Sequence, residues 1–350
     1  MYITVLCKVV DNYGDIGVAW RMCRRLKKIN PQNTISLVVD NLVSFNRLCD
    51  SVDVDAPFQT VMGVDVYNWN CEDFCHQEFV QNDGEKLSVI LECFQCGRPD
   101  WMEKILFEEK LQRTVQIIMI DYLTAEKYAE DFHCLKSLTR SAKVQKVNFM
   151  PGFTEKTGGL IIDEEWESLP PYNEAGPVLV FTYTMGVGLI ENPGKGLQLK
   201  PLPYMNQPDW DKMMKNCSAL IIRGEESMSR ACLSGIPFIW QAYPQSEEYH
   251  LVKVKALLER MKPHFEEQAF ELVEKAWTFV NVDCHAPRAR NDDPSLRGAN
   301  AVNDAAIQNF LNARSSLLPY FQDFAQSLRK NGDLCANLMT FIDKIAIIDR

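Results

Sequence analysis

Two carboxylates lie close together in a glycine-containing turn near the start of the chain. The turn has the sequence Asp11-Asn12-Tyr13-Gly14-Asp15-Ile16-Gly17. Paired carboxylates can bind a cationic group through charge-assisted hydrogen bonds and can accept a proton from it. Gly14 and Gly17 permit a tight turn and close backbone approach. The segment lacks the G-x-G-x-x-G spacing of dinucleotide-binding turns, whereas an N-cap role for Asp15 stays an open alternative.

A second polar group follows the apolar run at residues 219–222 and opens a predicted helix. It comprises Arg223, Gly224, Glu225, Glu226 and Ser227. Backbone N–H groups at a helix start can bind a phosphate. Ser227 can add a hydroxyl donor, and Glu225 can accept hydrogen bonds from sugar or ribose hydroxyls. The alternative is a capping cluster in which the acidic side chains favour the helix dipole.

Aromatic residues follow two other predicted strands of the same half of the chain. Tyr243 could donate its hydroxyl to a pyrophosphate, although half-buried packing is the commoner role for such a residue. Phe181, Tyr183 and Trp210 suit stacking on a nucleobase, and Gln207 suits hydrogen bonds to the base edge. Taken singly, each of these residues is more often part of a core or a surface.

Short apolar runs alternate with helical segments along most of the chain. The β-branched run at residues 3–10 predicts a first strand, and apolar residues four apart predict a helix over residues 18–28. Further strands are predicted at 35–39, 87–91, 115–120 and 144–149. Alternation of strand and helix predicts the α/β class, with helices on both faces of a mostly parallel sheet.

The alternation breaks between residues 164 and 177, where acidic residues and prolines predict a linker. It then resumes, so we predict two Rossmann-like domains, residues 1–168 and 174–334, with a helix at about 335–350 packing back on the first domain. Two such domains facing each other across a cleft form the GT-B architecture. Ligands of such folds bind at the carboxyl ends of the strands.

Composition excludes several classes of function. The 350 residues include 47 acidic and 37 basic side chains, with a net charge of −10, whereas nucleic-acid binding needs a basic face. The sequence contains no run of about 18 apolar residues, so no membrane span is predicted. The first residues predict a strand and not a signal peptide, so we expect a cytoplasmic protein.

The twelve cysteines are predicted to be reduced, buried thiols. Cys71, Cys75 and His76 lie close in sequence, but a zinc site needs four convergent ligands. We therefore predict no metal.

Several segments together resemble one family, the bacterial protein-arginine rhamnosyltransferases of elongation factor P. The resembling segments are Val10–Val18, Asp121–Glu126, Pro151–Thr154, Thr157–Leu160, Arg223–Ser227 and Tyr243–Gln245. Their order and spacing fit over nearly the whole chain. The family usually has Glu-Asp-Ser where this chain has Glu225-Glu226-Ser227, and Glu where it has Asp121. The stretch from Phe181 to Tyr183 also differs, but each change keeps charge or aromatic character.

The resemblance implies a metal-independent, inverting enzyme that moves L-rhamnose to one arginine at the loop tip of elongation factor P's first domain. The donor would be dTDP-β-L-rhamnose, a co-substrate and not a cofactor, held by the second domain. Catalytic roles are implied for Asp15, its partner Asp11 and Glu225. Donor contacts are implied for Tyr13, Gly14, Phe181, Tyr183, Gln207, Trp210, Arg223, Glu225, Glu226, Ser227 and Tyr243.

Two other classes of function stay open at this point. One is another GT-B enzyme, such as a nucleotide-sugar epimerase or a transferase for a small acceptor. The pairing of Asp11 with Asp15 favours a cationic acceptor over a neutral hydroxyl. The other is a non-catalytic protein that binds a nucleotide sugar, which would not need paired carboxylates.

Overall fold

The structure is a computed structural model that describes residues 1–10, 13–109, 111–170, 172–191, 193, 198–283 and 304–348. The chain divides into two compact units. The first comprises Met1–Leu123, Lys127–Asp163 and Asn331–Arg350, and the second comprises Thr124–Glu126 and Glu164–Lys330. The change of unit after Asp163 falls at the start of the predicted linker.

Strands and helices are numbered along the chain. The strands are β1 Tyr2–Cys7, β2 Thr34–Val39, β3 Phe58–Val61, β4 Val64–Asn68, β5 Val89–Cys93, β6 Val115–Ile120, β7 Lys136–Ser137, β8 Val144–Phe149, β9 Val178–Phe181, β10 Val187–Ile190, β11 Leu199–Pro201, β12 Ala219–Arg223 and β13 Phe238–Gln241. The α-helices are α1 Gly14–Ile29, α2 Leu42–Leu48, α3 Glu72–Gly84, α4 Asp100–Phe107, α5 Tyr128–Phe132, α6 Glu164–Ser168, α7 Gln207–Lys215, α8 Glu225–Ser234, α9 Tyr249–Met261, α10 Glu267–Thr278, α11 Ala305–Lys330 and α12 Leu334–Ile348.

The first unit is built on an eight-stranded sheet with the order β3-β4-β2-β1-β5-β6-β8-β7. Its six inner strands pair in parallel, and the edge strands β3 and β7 pair antiparallel. Ile3, Val5 and Cys7 of β1 pack in one core cluster and Leu6 packs in the other, because successive side chains of a strand point to opposite faces. The predicted α/β class is confirmed.

Strand β1 ends at Cys7, earlier than the predicted end at residue 10. The N–H of Val9 donates to Asp40 Oδ1 at 2.8 Å, and the N–H of Val10 donates to Asp15 Oδ2 at 2.9 Å. These two backbone donors are satisfied by side chains and do not extend the strand ladder. Helix α1 begins at Gly14, before the predicted start at residue 18.

The last helix, α12, belongs to the first unit although it ends the sequence. Leu334, Leu338 and Ile342 are buried in the same cluster as Ile3 and Val5. Burying these large apolar side chains stabilises each by about 1.5–3 kcal/mol relative to leaving it exposed. The helix therefore completes the core on one face of the first sheet.

Asp333 fixes the start of α12. Its Oδ2 accepts the N–H of Ala336 at 3.1 Å and pairs with Arg25 of α1 at 2.9 Å. Its Oδ1 accepts the N–H of Ile162 at 2.9 Å. One N-capping carboxylate thus connects three segments of the first unit.

The second unit is built on a five-stranded sheet with the order β11-β10-β9-β12-β13. Strands β9, β12 and β13 are parallel, and β10 and β11 add an antiparallel extension. The sequence did not predict β10, because Gly186 and Gly188 interrupt its apolar pattern. A Cβ on Gly188 would lie 2.4 Å from the carbonyl oxygen of Lys200, so the pairing with β11 requires glycine there.

Across the described part of the chain, every helix is too short or too polar to span a membrane.

Candidate functional site

Asp15 lies in the first turn of α1, at the carboxyl end of the central strand of the first sheet. Its side chain is 3% exposed, and its Oδ2 accepts the Val10 N–H. Burial raises the pKa of the Cys7 thiol at the end of β1, and the negative charge of Asp15 raises it further. A carboxylate in this position is oriented by the backbone. It can accept a hydrogen bond or a proton from a cationic group.

The N-cap alternative for Asp15 is wrong. Tyr13 is the N-cap residue of α1, without a side-chain capping bond, and Asp15 lies inside the helix. Tyr13 is 40% exposed and Gly14 is half-buried. Asp11, the predicted partner carboxylate, lies outside the described residues.

Strand β5, which pairs with β1, is followed by an unusual backbone at the same edge of the sheet. Phe94 and Gln95 have φ angles of 56° and 53°, in the left-handed region that residues with a side chain rarely adopt. The Phe94 ring stacks on Tyr122 with 4.9 Å between centroids, and Gln95 Nε2 donates to Asp121 Oδ2 at 3.0 Å. The absence of glycine at these positions left this feature unpredicted. Strained backbone of this kind concentrates at functional sites.

In the second unit, helix α8 begins directly after β12 at a glycine N-cap. Its N-cap is Gly224, with φ 72° and ψ 148° and no side-chain capping bond. A Cβ at Gly224 would meet nothing within 4 Å. Ser227 is 8% exposed in the first turn. Glu225 and Glu226 lie in the first turn of α8, as the capping alternative expected. The glycine N-cap itself supplies no side-chain acceptor to the backbone N–H groups of that turn.

Arg223, at the end of β12, lies against two of the predicted aromatic residues. Its guanidinium carbon is 4.5 Å from the ring centroid of Phe181 and 4.3 Å from that of Tyr183. These cation–π contacts hold both rings beside the start of α8. Phe181 also packs against Trp210 at 4.9 Å, and Tyr183 packs against Tyr243 at 5.3 Å. The structure thus brings five of the predicted donor-binding residues into one aromatic cluster.

Two of these aromatic residues have further features that bear on ligand binding. The N–H of Tyr183 donates to Gln241 Oε1 at 2.8 Å, which fixes the backbone beyond β9. Tyr243 is 59% exposed, so its ring and hydroxyl are accessible to a ligand. The cluster combines packed aromatic rings with one exposed tyrosine side chain, and aromatic surfaces of this kind can stack on a ligand.

Gln207 is in a different environment from the one that the sequence suggested. It is 5% exposed, and its Nε2 donates to Glu226 Oε1 at 3.3 Å. The other oxygen of Glu226 lies 3.5 Å from Nε of Arg230. Gln207 therefore helps to orient Glu226 in this structure.

Glu225, the predicted catalytic residue of this segment, forms an ion pair with Lys253 of α9. The Nζ–Oε1 distance is 3.6 Å, and the two side chains are 21% and 27% exposed. Sequence analysis missed both Lys253 and Arg230. The Glu226–Arg230 spacing of four residues on one helix was a usable signal, whereas no local pattern connects Lys253 to Glu225.

A metal site is not formed by the cysteines and histidine noted above. Within the described ranges, no group of three or more His, Cys, Asp and Glu side chains could hold a metal ion. Cys75 is buried, and burial raises the pKa of its thiol to about 12. His76 pairs with Glu109.

These features define an α/β protein with an oriented carboxylate in one unit and an aromatic cluster beside a helix start in the other. The family model described as "Elongation-Factor P (EF-P) rhamnosyltransferase EarP" matches residues 3–174 and 181–343. The chain belongs to this family. It is therefore an enzyme of the glycosyltransferase class, and the non-catalytic alternative is not retained.

Curated relatives agree with this assignment. The protein-arginine rhamnosyltransferase of Pseudomonas aeruginosa is 29% identical over 314 residues, which cover 73% of this chain and 80% of the relative. The protein-arginine rhamnosyltransferase of Pseudomonas putida is 27% identical over 340 residues, covering 80% and 86%. A solved structure described as "Structural basis for EarP-mediated arginine glycosylation of translation elongation factor EF-P" has 15% identity and a TM-score of 0.41, and covers 98% of this chain and 99% of the other.

Proposed function

We propose that this enzyme transfers L-rhamnose from dTDP-β-L-rhamnose to one arginine side chain of elongation factor P, with inversion at the anomeric carbon and without a metal. Family membership supports arginine rhamnosylation and elongation factor P as the acceptor. The observation that carries the proposal is the buried, backbone-oriented carboxylate of Asp15 at the carboxyl end of β1. We assign acceptor binding to the first unit and donor binding to the second.

The acceptor is a difficult nucleophile. An arginine side chain has a pKa above about 12 and is a delocalised cation without a free lone pair. A carboxylate with a pKa of about 4 cannot simply deprotonate it in water. Asp15, with Asp11 as its proposed partner, binds the guanidinium through charge-assisted hydrogen bonds and fixes its orientation. This pairing localises positive charge on the nitrogens that the carboxylates contact and makes the attacking nitrogen more nucleophilic.

The transfer step exchanges one bond for another. The attacking nitrogen forms a bond to the anomeric carbon while the bond from that carbon to the diphosphate oxygen breaks. Attack from the face opposite dTDP inverts the anomeric centre. The proton leaves the nitrogen for Asp15 after attack has begun, and dTDP departs with the electron pair of the broken bond.

The second unit supplies the donor contacts in this proposal. Phe181 and Tyr183 stack with the nucleobase beside Arg223. The first-turn N–H groups of α8, with the hydroxyls of Ser227 and Tyr243, stabilise the negative charge that develops on the diphosphate. Glu225 accepts hydrogen bonds from sugar hydroxyls. We place the reaction in the cytoplasm, where free thiols such as those of this chain persist.

Intact-protein mass spectrometry tests the proposal. The enzyme is incubated with dTDP-β-L-rhamnose and elongation factor P, and an arginine-to-lysine variant of the acceptor serves as control. We expect one deoxyhexose on the wild-type acceptor at a single arginine, none on the variant, and an inverted anomeric configuration by NMR. A new nucleotide sugar formed without the acceptor would instead support the epimerase alternative and contradict the proposal.

A further inference from the structure

The first turn of α8 combines two features that oppose each other electrostatically. Its backbone N–H groups are proposed to bind a diphosphate, yet its first two residues are Glu225 and Glu226. A carboxylate next to a bound diphosphate repels it, because both groups are negative. Donor binding therefore requires that the charge of these carboxylates be compensated.

The structure shows one cation for each carboxylate. Arg230 lies one turn along α8, with Nε 3.5 Å from Oε2 of Glu226, and its side chain is 2% exposed. It lies over the ring of the buried Trp166, 5.4 Å from the centroid. The charge of Glu226 is therefore compensated by a buried residue of the same helix, four positions further along.

The second pair is built differently. Lys253 comes from α9, and its Nζ lies 3.6 Å from Oε1 of Glu225, with both side chains partly exposed. An exposed ion pair contributes little to folding stability. Folding stability alone therefore does not account for the position of Lys253. Its positive charge, placed beside the proposed site, accounts for it better.

We infer that Lys253 is a positioning residue that compensates the charge of Glu225, so that Glu225 can bind sugar hydroxyls beside the diphosphate without repelling it. The inference rests on the proposed function, because it takes the start of α8 as the diphosphate site. The two ion pairs offset the charges of Glu225 and Glu226, so that the backbone N–H groups of the first turn can attract an anion.

Calorimetric binding of dTDP to the full chain tests this role. dTDP lacks the transferred rhamnose, so replacing Glu225 removes no contact to that sugar. A like charge about 6 Å from a phosphate, at an effective dielectric constant of about 40, weakens binding on the order of tenfold. We expect Lys253→Met to weaken dTDP binding by that factor, and the double variant Lys253→Met with Glu225→Gln to recover wild-type affinity.

Lys255→Met is the matched control. Lys255 lies on the same helix, is 79% exposed and pairs only weakly, at 4.0 Å, with Glu259. It should leave dTDP affinity unchanged, and thermal unfolding should show that all variants remain folded. Equal affinity of wild type and Lys253→Met would overturn the inference. Weakened binding that Glu225→Gln does not restore would also overturn it, because Lys253 would then contact the diphosphate directly. A wild-type chain that does not bind dTDP would refute the proposed function itself.

Discussion

Replacing Asp15 by Asn separates the chemistry of this carboxylate from its structural role. Asn has nearly the same size and can still accept the Val10 N–H through its amide oxygen. The variant loses the negative charge in the first turn of α1 and with it the ability to take a proton. Activity and stability should therefore respond to very different extents.

The stability effect follows from two contacts. Loss of the charge costs about 0.3–1 kcal/mol of helix-dipole interaction. Exchange of a charged acceptor for a neutral one at 2.9 Å costs about 1 kcal/mol more. The sum lowers the melting temperature by about 2–8 °C. Loss of proton acceptance should lower kcat by about 10²- to 10⁴-fold.

The assay measures kcat for acceptor rhamnosylation together with dTDP affinity, which should not change. Asp40→Asn is the matched control, because Asp40 also holds a backbone N–H of the same loop, that of Val9 at 2.8 Å. Near-normal turnover of Asp15→Asn would remove Asp15 from the mechanism. An equal loss of turnover in both variants would show that loop geometry, and not proton transfer, is what the substitution disturbs.

Three further predictions concern other parts of the molecule. Arg21→Met breaks the buried ion pair with Asp163 at 2.8 Å, so urea denaturation should show a loss of about 3–5 kcal/mol, partly recovered by adding Asp163→Asn. Phe181→Leu removes a stacking surface and should weaken dTDP binding about 5- to 150-fold in calorimetry, with little change in melting temperature. Burial lowers the pKa of His133, whose Nδ1 accepts the Met150 N–H. The neutral His133 side chain makes its full contribution to stability above the unfolded pKa of about 6.5, and this contribution is lost as the pH falls towards the folded pKa. The unfolding free energy of the wild type should therefore be lower at about pH 5.5 than at about pH 7.5, and His133→Asn should reduce that difference. An unchanged difference in the variant would contradict this.

The sequence predicted those parts of the candidate site that depend on local pattern. Asp15 and Gly224 each follow a strand and open a helix, and such strand–turn–helix junctions are visible in the order of residues alone. The end of β1 at Cys7 was not predictable, because it depends on Asp40. That residue directly follows β2 and accepts the N–H of Val9. Lys253 was missed for the same reason, since a charge pair between two helices leaves no periodic signal.

The burial of α12 in the first unit determines when that unit can mature during synthesis. Leu334 and Leu338 are buried in the same cluster as Ile3 and Val5 of β1, so this core closes only after α12 has been synthesised. Chains commonly complete their N-terminal domains first, but here residues 164–330 emerge before the first unit can close its core. The nascent first unit therefore keeps exposed apolar surface until α12 is available, a condition that favours transient association with other apolar surfaces.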